Sequence, residues 1–343
     1  MAGYAIRFQS NVRTDRWRVD IGSLHAQLAA TASPRGEEKV KKFGGDWSEE
    51  KLDCVEKYIY SYLQVMQNQR QWKLHYVDAF AGRGRQELKS PTGISDIETF
   101  FGDESEGADT QEFLVGSAIR ALRASSNSTR QFDRFLFIEA NPSSYQELQS
   151  LVESDFPGIE HRIEVRCADA NAALHDYTTT VDRTSTRSLV FLDPYGLEVR
   201  WDLVRCLAKT EVCDVWYLFP LGGVTRMMTN NGQIPDSWRS RLNLVFGTDD
   251  WYGAFYKPVP QLSLLGDNRD QAMFKEATTK QTTDFIRNRL KTVFADVSTA
   301  GILRNKKGAP LFALLLGVSN PSPKARQAAL RIANHLIKEL NQP

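Results

Sequence analysis

The sequence predicts a doubly wound α/β fold, in which a mostly parallel sheet ends in an antiparallel hairpin. Between residues 73 and 219, short apolar runs alternate with helical patterns, which is typical of parallel strands joined by helices on both faces. Near the carboxyl end, two apolar runs flank a polar turn that contains glycine. With 41% hydrophobic and 25% charged residues, the composition is that of an ordinary globular protein and excludes a disordered chain.

The first predicted helix starts near Ser48, which can cap it. Its apolar residues lie on one face of a 3.6-residue repeat, namely Leu52, Val55, Ile59, Tyr62, Leu63 and Met66. Buried strands are predicted at 73–80, 134–139, 162–167, 188–192 and 213–219. Intervening helices are predicted near 116–123 and at 143–156, 171–177 and 199–209. Asn141 followed by Pro142 indicates a helix start, because the missing N–H of proline costs no hydrogen bond at the first helical position.

The last sheet strands are predicted at 296–303 and 311–318, with a turn at 304–308 and a final helix after Ser322 and Pro323. Five parallel strands closed by such a hairpin resemble the strand order of the class I methyltransferase fold. This resemblance concerns architecture and not function. We therefore expect a basic N-terminal arm at 1–45 and a methyltransferase-like domain at 46–343. That domain has predicted insertions at about 86–115 and 220–291, the second being helical.

Composition also limits the function classes. The 43 Lys and Arg and 42 Asp and Glu residues give a net charge of +1, so no large-scale field attracts nucleic acid, although a local basic patch remains possible. No apolar run is long enough to span a bilayer and no signal core is present, which predicts a cytoplasmic protein without membrane contact. Four cysteines without a Cys-x-x-Cys pair predict reduced, buried thiols, and the isolated histidines give no metal spacing.

The strongest local signal is the run from Tyr76 to Arg85, in which a buried strand leads into a loop with Gly82 and Gly84. Glycine lets the backbone approach a ligand, and Asp78 at the strand end can accept from a cationic amino group. A P-loop is absent and the dinucleotide fingerprint is incomplete. An ordinary tight turn is the alternative.

Two further acids follow the next two strands. Glu139 is placed to accept from both hydroxyls of a ribose, although acids at strand ends are common. Asp169 can accept from an adenine amino group or can cap the helix that follows, and the sequence leaves both interpretations open.

The fourth strand ends in Asp193-Pro194-Tyr195-Gly196. This order presents a carboxylate and a rigidly placed carbonyl at the edge of the sheet, and Tyr195 offers a flat face for a planar ring. The alternative is a turn formed by proline with a tyrosine packed beneath it.

Together, these elements resemble the successive cofactor sites of class I S-adenosylmethionine-dependent methyltransferases. A closer resemblance is to the three-Cys-motif partner protein family (TcmP), over roughly residues 45–320. It is based on residues 51–58, 77–82, 116–118, 191–196, 216–220 and 246–248, with Trp251. It implies a cofactor, S-adenosylmethionine, and a three-Cys-motif partner protein. The implied cofactor-binding residues are Asp78, Ala79, Phe80, Gly82, Gly84, Glu139, Ala140, Asp169 and Ala170.

Asp193, Pro194 and Tyr195 are the implied catalytic residues. They resemble the Asp-Pro-Pro-Tyr of methyltransferases that act on nucleobase amino groups, and the Asp-Pro-Phe-Gly of tRNA guanine N2-dimethyltransferases. Here the aromatic ring stands one position earlier than in the first motif, so its face could point into the core. The first hypothesis is N-methylation of an exocyclic amino group in RNA or DNA. The second is a non-catalytic subunit that binds the three-Cys partner, and the third is an NAD-binding oxidoreductase.

Overall fold

The computed structural model describes residues 46–87, 113–258 and 273–341 of the 343-residue chain. The predicted basic arm at 1–45 and most of the predicted insertion at about 86–115 lie outside the described residues.

Twelve strands and ten α-helices make up the described part of the chain. The strands are β1 (Lys73–Asp78), β2 (Arg85–Glu87), β3 (Phe113–Val115), β4 (Arg134–Glu139), β5 (Ile163–Cys167), β6 (Thr186–Leu192), β7 (Cys213–Phe219), β8 (Tyr256–Pro258), β9 (Met273–Lys275), β10 (Asp296–Val297), β11 (Gly301–Arg304) and β12 (Pro310–Val318). The helices are α1 (Asp46–Met66), α2 (Ser117–Ser126), α3 (Pro142–Asp155), α4 (Ala170–Thr180), α5 (Trp201–Lys209), α6 (Leu221–Met227), α7 (Asp236–Phe246), α8 (Asp250–Phe255), α9 (Thr279–Lys291) and α10 (Pro323–Leu340).

The central sheet has the spatial order β5, β4, β1, β6, β7, β12 and β10, with β11 also paired to β12. The strands from β5 to β7 are mutually parallel. Strand β12 is antiparallel to β7, β10 and β11. The predicted fold class and its C-terminal antiparallel hairpin are therefore confirmed, and the strand order is that of the class I methyltransferase plan.

Helices cover both faces of this sheet, so almost every residue of β6 and β7 is buried. Apolar side chains of α1, α2, α3 and α10 form the core on one face. Those of α4 to α9 form the core on the other face. This two-sided burial explains why the strands have continuous apolar runs instead of an alternating pattern.

Two predicted helix starts have different outcomes. Asn141 caps α3 by accepting from the amides of Ser143 and Ser144, with Pro142 in the first helical turn, as predicted. Ser48 instead lies inside α1, so its prediction as a cap is wrong. The helix extends to Asp46 and includes Trp47, whose ring stacks on Phe312 of β12 at 5.0 Å.

The four cysteines are all free, but they are not all buried. Cys54 and Cys213 are buried, whereas Cys206 is half-buried. Cys167 is exposed, so the prediction of a buried thiol is wrong there. It is the last residue of β5, which in the described part of the chain has a neighbouring strand on one side only.

Helices α6 to α9 and the small hairpin of β8 and β9 lie between β7 and β10 in the chain. Trp251 is fully buried and its ring lies 6.3 Å from that of Phe246. The aromatic residues here therefore build a helical core, although Trp238 remains exposed.

Candidate functional site

The candidate site lies at the edge of the sheet where parallel strands β1, β4, β5 and β6 end. Asp78 is the last residue of β1 and Glu139 is the last residue of β4. Asp193 directly follows β6, and Asp169 follows β5 by two residues. Because the strands are parallel neighbours, the chain brings all four acids to the same edge.

Asp78 is completely buried. Its Oδ1 accepts from the amide of Phe80 at 3.2 Å, whereas its Oδ2 has no hydrogen-bond partner among the described residues. Burial raises the pKa of Asp78 to about 7, and the nearby Ser117 hydroxyl and the Phe80 amide lower it only in part. A buried carboxyl oxygen without a donor is unusual in a folded protein and indicates a place where a ligand can donate or a cation can bind.

The glycine loop after β1 is tied to Glu139. The amide of Gly82 donates to Oε2 of Glu139 at 2.9 Å, and the amide of Asn141 donates to its Oε1 at 2.7 Å. The Ala81 amide also donates to the carbonyl of Ile138. These bonds fix the orientation of a buried carboxylate that still has free acceptor positions on both oxygens.

The two loop glycines have different surroundings. Both adopt the left-handed backbone conformation, with φ of +62° at Gly82 and +78° at Gly84. A Cβ on Gly84 would lie 2.8 Å from a methyl of Leu151 and 2.9 Å from one of Leu148, so Gly84 is required for packing against α3. Among the described residues, a Cβ on Gly82 would meet only the hydroxyl of Tyr195, at the ordinary contact distance of 3.6 Å, so Gly82 is not required for packing.

Asp193 is half-buried and forms an ion pair with Lys51, whose Nζ lies 2.6 Å from its Oδ2. Lys51 is itself buried and also lies over the ring of Trp47, 5.0 Å from its centroid. The pair holds the Asp193 carboxylate in one orientation and leaves Oδ1 without a described partner. Pro194 is buried beside it.

Tyr195 does not point into the core, because 47% of its surface is exposed. Its hydroxyl nevertheless lies close to Gly82, over the acidic group. Burial of that hydroxyl raises the pKa of Tyr195, and the carboxylates of Glu139 and Asp193 raise it further. The ring therefore lies between the glycine loop and Asp193, with about half of the residue's surface exposed.

The remaining predicted site residues differ in accessibility. Ala79 and Ala170 are buried, so only their backbone atoms could reach a ligand. Phe80 is half-buried and packs against the core, whereas Ala140 is exposed. Asp169 caps α4, with its Oδ1 accepting from the amide of Ala172 at 2.9 Å, so the helix-cap interpretation left open above describes its contact in this structure.

Sequence analysis assigns no role to three residues that support the site, namely Lys51, Arg120 and Glu198. Lys51 lies on the same buried face of α1 as Val55 and Tyr58, which follow it by four and seven residues. A charged residue on an otherwise apolar helix face was the sequence signal that could have identified it. Arg120 of α2 pairs with Asp53 and Glu56 and holds α1 in place. Glu198 accepts from the amide of Tyr195 at 3.2 Å, and burial raises its pKa.

Within residues 46–87, 113–258 and 273–341, no helix has the length and hydropathy that crossing a membrane requires. In the same part of the chain, no three His, Cys, Asp or Glu side chains are grouped so that they would hold a metal ion.

No protein-family model matches the chain, and no curated protein sequence matches it either. Several solved structures are similar over most of their length. The Legionella pneumophila protein LPL1258, described by the family-model DUF519, is 14% identical with a TM-score of 0.41, covering 86% of this chain and 94% of that one.

Two of the other structures contain S-adenosylmethionine. TYW2 of M. jannaschii in complex with AdoMet is 11% identical with a TM-score of 0.31, covering 81% of this chain and 77% of that one. Trm1 from Pyrococcus horikoshii with S-adenosyl-L-methionine is also 11% identical with a TM-score of 0.31, covering 85% and 76%. These values are too low to transfer an activity, so the fold assignment is based on the strand order of the sheet itself. The resemblance to the three-Cys-motif partner family stays a prediction.

Proposed function

We propose that the protein is an S-adenosylmethionine-dependent methyltransferase that methylates an exocyclic amino nitrogen of a nucleobase in RNA or DNA. One observation supports the proposal above all. At a single edge of the sheet lie the buried carboxyl of Asp78, whose Oδ2 has no partner among the described residues, the backbone-oriented Glu139 and the Asp193-Pro194-Tyr195 segment.

The residues present fit the cofactor. Oδ2 of Asp78 lacks a donor and would receive the cationic amino acid end of S-adenosylmethionine. Glu139 has acceptor positions for the ribose hydroxyls, and the missing Cβ at Gly82 allows close backbone approach. In this proposal the backbone atoms of Ala79, Phe80 and Gly84, in the same loop, also contact the cofactor. Ala140, Asp169 and Ala170 border the adenine.

When bound, the cofactor supplies a methyl group whose bond to sulfur breaks as the new bond to nitrogen forms, leaving neutral S-adenosylhomocysteine. Asp193 and the carbonyl of Pro194 would accept hydrogen bonds from the two N–H groups of the amine and so direct the nitrogen lone pair toward the methyl group. After transfer, the nitrogen carries an extra proton, which the Asp193 carboxylate is placed to accept. Lys51 holds that carboxylate in one orientation until then.

The substrate class follows from the shape and chemistry of the Asp193 segment. In this proposal a planar amine stacks on the exposed part of the Tyr195 ring while its N–H groups reach Asp193 and Pro194, and such stacking contributes about 1–3 kcal/mol per base. A base in a duplex would have to be flipped out, whereas a base in a loop would not.

One observation favours a second candidate function. Lys51 already occupies Oδ2 of Asp193, so the acceptor needed for the amine is partly engaged. A non-catalytic subunit that keeps the fold in order to bind a three-Cys-motif partner protein would show this feature as well.

Calorimetric titration with S-adenosylhomocysteine tests the cofactor site. We expect saturable binding that Glu139→Gln weakens roughly tenfold, because one acceptor oxygen becomes a donor. Glu153→Gln, an exposed position on α3, is the matched control and should bind like the native protein. No binding, or equal binding by both variants, would contradict the cofactor assignment.

Transfer of a labelled methyl group to RNA and DNA, followed by mass spectrometry of the nucleosides, tests the reaction. Asp193→Asn should reduce transfer at least about a hundredfold while it retains cofactor binding. If label stays at background for the native protein, with and without a three-Cys-motif partner, while S-adenosylhomocysteine still binds, the non-catalytic alternative is favoured.

A further inference from the structure

A cavity lies at the opposite edge of the sheet from the candidate site. It is an open cavity of about 760 Å³, lined at the starts of β6 and β7 and at the end of β12. Its lining residues are Arg183, Arg187, Lys209, Thr210, Glu211, Val212, Asn320, Pro321 and Ser322. With a rise of roughly 3.3 Å per residue, the seven-residue strand β6 places this cavity about 20 Å from Asp193.

The charge of the described lining is strongly unbalanced. Arg183, Arg187 and Lys209 face a single carboxylate, that of Glu211. Among the described residues, none of these three cations has a carboxylate within ion-pair distance. The excess of positive charge in the lining identifies the cavity as a place suited to an anion.

Arg187 is held in position for this role. Its guanidinium lies 3.6 Å from the ring centroid of Trp72 and donates to the carbonyl of Thr186 at 2.7 Å. The carboxylate of Asp214 attracts Arg187 through space without forming an ion pair with it, and accepts from the amide of Ser319 at 2.9 Å. A stacked, partly bonded guanidinium retains free N–H groups in a fixed direction, which suits recognition of phosphate oxygens.

We propose that this cavity binds the terminal phosphate or pyrophosphate group of a small phosphorylated ligand. A terminal phosphate has a charge near −2 at neutral pH, which matches three cations opposed by one carboxylate, whereas each backbone phosphodiester carries only one charge. The volume is that of a ligand-binding cleft and exceeds what inorganic phosphate needs, so a nucleotide-sized ligand fits. The site is independent of the proposed methyl transfer, because it uses other residues at the other edge of the sheet.

Calorimetric titration with inorganic pyrophosphate tests this site. We expect one saturable site that Lys209→Gln and Arg183→Gln each weaken roughly fivefold, because each removes a charge-assisted hydrogen bond. Both side chains are exposed, so neither change should disturb the core. Arg205→Gln, one turn earlier on α5, makes the same charge change outside the cavity and should bind pyrophosphate as the native protein does.

A second titration with uridine diphosphate distinguishes the sources of the phosphate, and it avoids adenosine, which is proposed to bind at the other edge. If uridine diphosphate binds more tightly than pyrophosphate, the ligand is a nucleotide. If the two bind equally, the ligand is inorganic, and either result supports the site. The proposal is overturned if pyrophosphate does not bind, or if Arg205→Gln weakens binding as much as Lys209→Gln. It is also overturned if an oligonucleotide without terminal phosphates binds there more tightly than either probe.

Discussion

Nζ of Lys51 lies 2.6 Å from Oδ2 of Asp193, and both side chains are largely buried although 142 residues separate them in the chain. The contact joins α1 to the end of β6, so the first described helix takes part in the candidate site. A buried charge that loses its partner is costly, which makes the two residues energetically dependent on each other.

A double-mutant cycle measures this dependence. We expect Lys51→Met and Asp193→Asn each to lower the free energy of unfolding, and the double variant to lose less than the sum. The expected coupling is about 1–3 kcal/mol, read from urea unfolding of the four proteins.

The more accessible pair of Lys57 and Glu339, at 3.5 Å and with side chains 47% and 33% exposed, provides the control cycle. Water screens that pair, so its coupling should stay under about 0.5 kcal/mol. Equal coupling in the two cycles would show that the Lys51–Asp193 contact has no special role.

Substitution of the two loop glycines by alanine should have different effects, on stability at Gly84 and on ligand binding at Gly82. Gly84→Ala places a methyl group against Leu148 and Leu151 and forces an unfavourable backbone conformation, so it should cost about 2–4 kcal/mol of stability. Gly82→Ala has only the backbone cost of about 1 kcal/mol, but it should weaken S-adenosylhomocysteine binding by roughly tenfold or more. Urea unfolding and calorimetry on both variants check this, and a reversed ranking in either measurement contradicts it.

The sequence predicts the parts of the site that local chemistry determines. Asp78 and the glycine loop follow directly from a buried strand, and Asn141 is the cap that its position before Pro142 indicates. The antiparallel hairpin is equally local, because its turn and its two apolar strands are adjacent in the chain.

Other features depend on how distant elements pack. The Lys51–Asp193 pair exists because α1 lies against the sheet edge, which no spacing within α1 specifies. The direction of Tyr195 is set by the turn that follows β6, where Glu198 accepts from its amide. Asp169 could be interpreted in two ways from the sequence, since a cap and a ligand contact require the same residue type.

His75 should make the fold sensitive to acid. It is half-buried and bonded at 3.0 Å to the hydroxyl of Tyr177, and burial lowers its pKa from 6.5 to about 4. The unfolded chain therefore binds this proton more readily, so stability falls as the pH drops from about 6.5 to 4, by about 1–3 kcal/mol. His75→Phe should flatten this part of a curve of unfolding free energy against pH, since Tyr177 keeps its bond to Ser188. An unchanged slope in the variant would contradict this assignment.

Asp78 should have the opposite pH dependence. Burial raises its pKa from 3.8 to about 7, so the folded chain holds this proton more tightly than the unfolded chain does. Stability is therefore lost as the pH rises from about 4 through 7, and Asp78→Asn should be more stable than the native protein at pH 8 by about 2–4 kcal/mol. The same variant should bind S-adenosylhomocysteine roughly tenfold more weakly, because a neutral amide does not balance a ligand cation. Thermal unfolding from pH 5 to 8, with calorimetry at pH 8, measures both effects. A variant that is less stable than the native protein at pH 8 would mean that the Asp78 carboxylate is already satisfied inside the protein, and a buried acid of that kind has no capacity left for a cofactor.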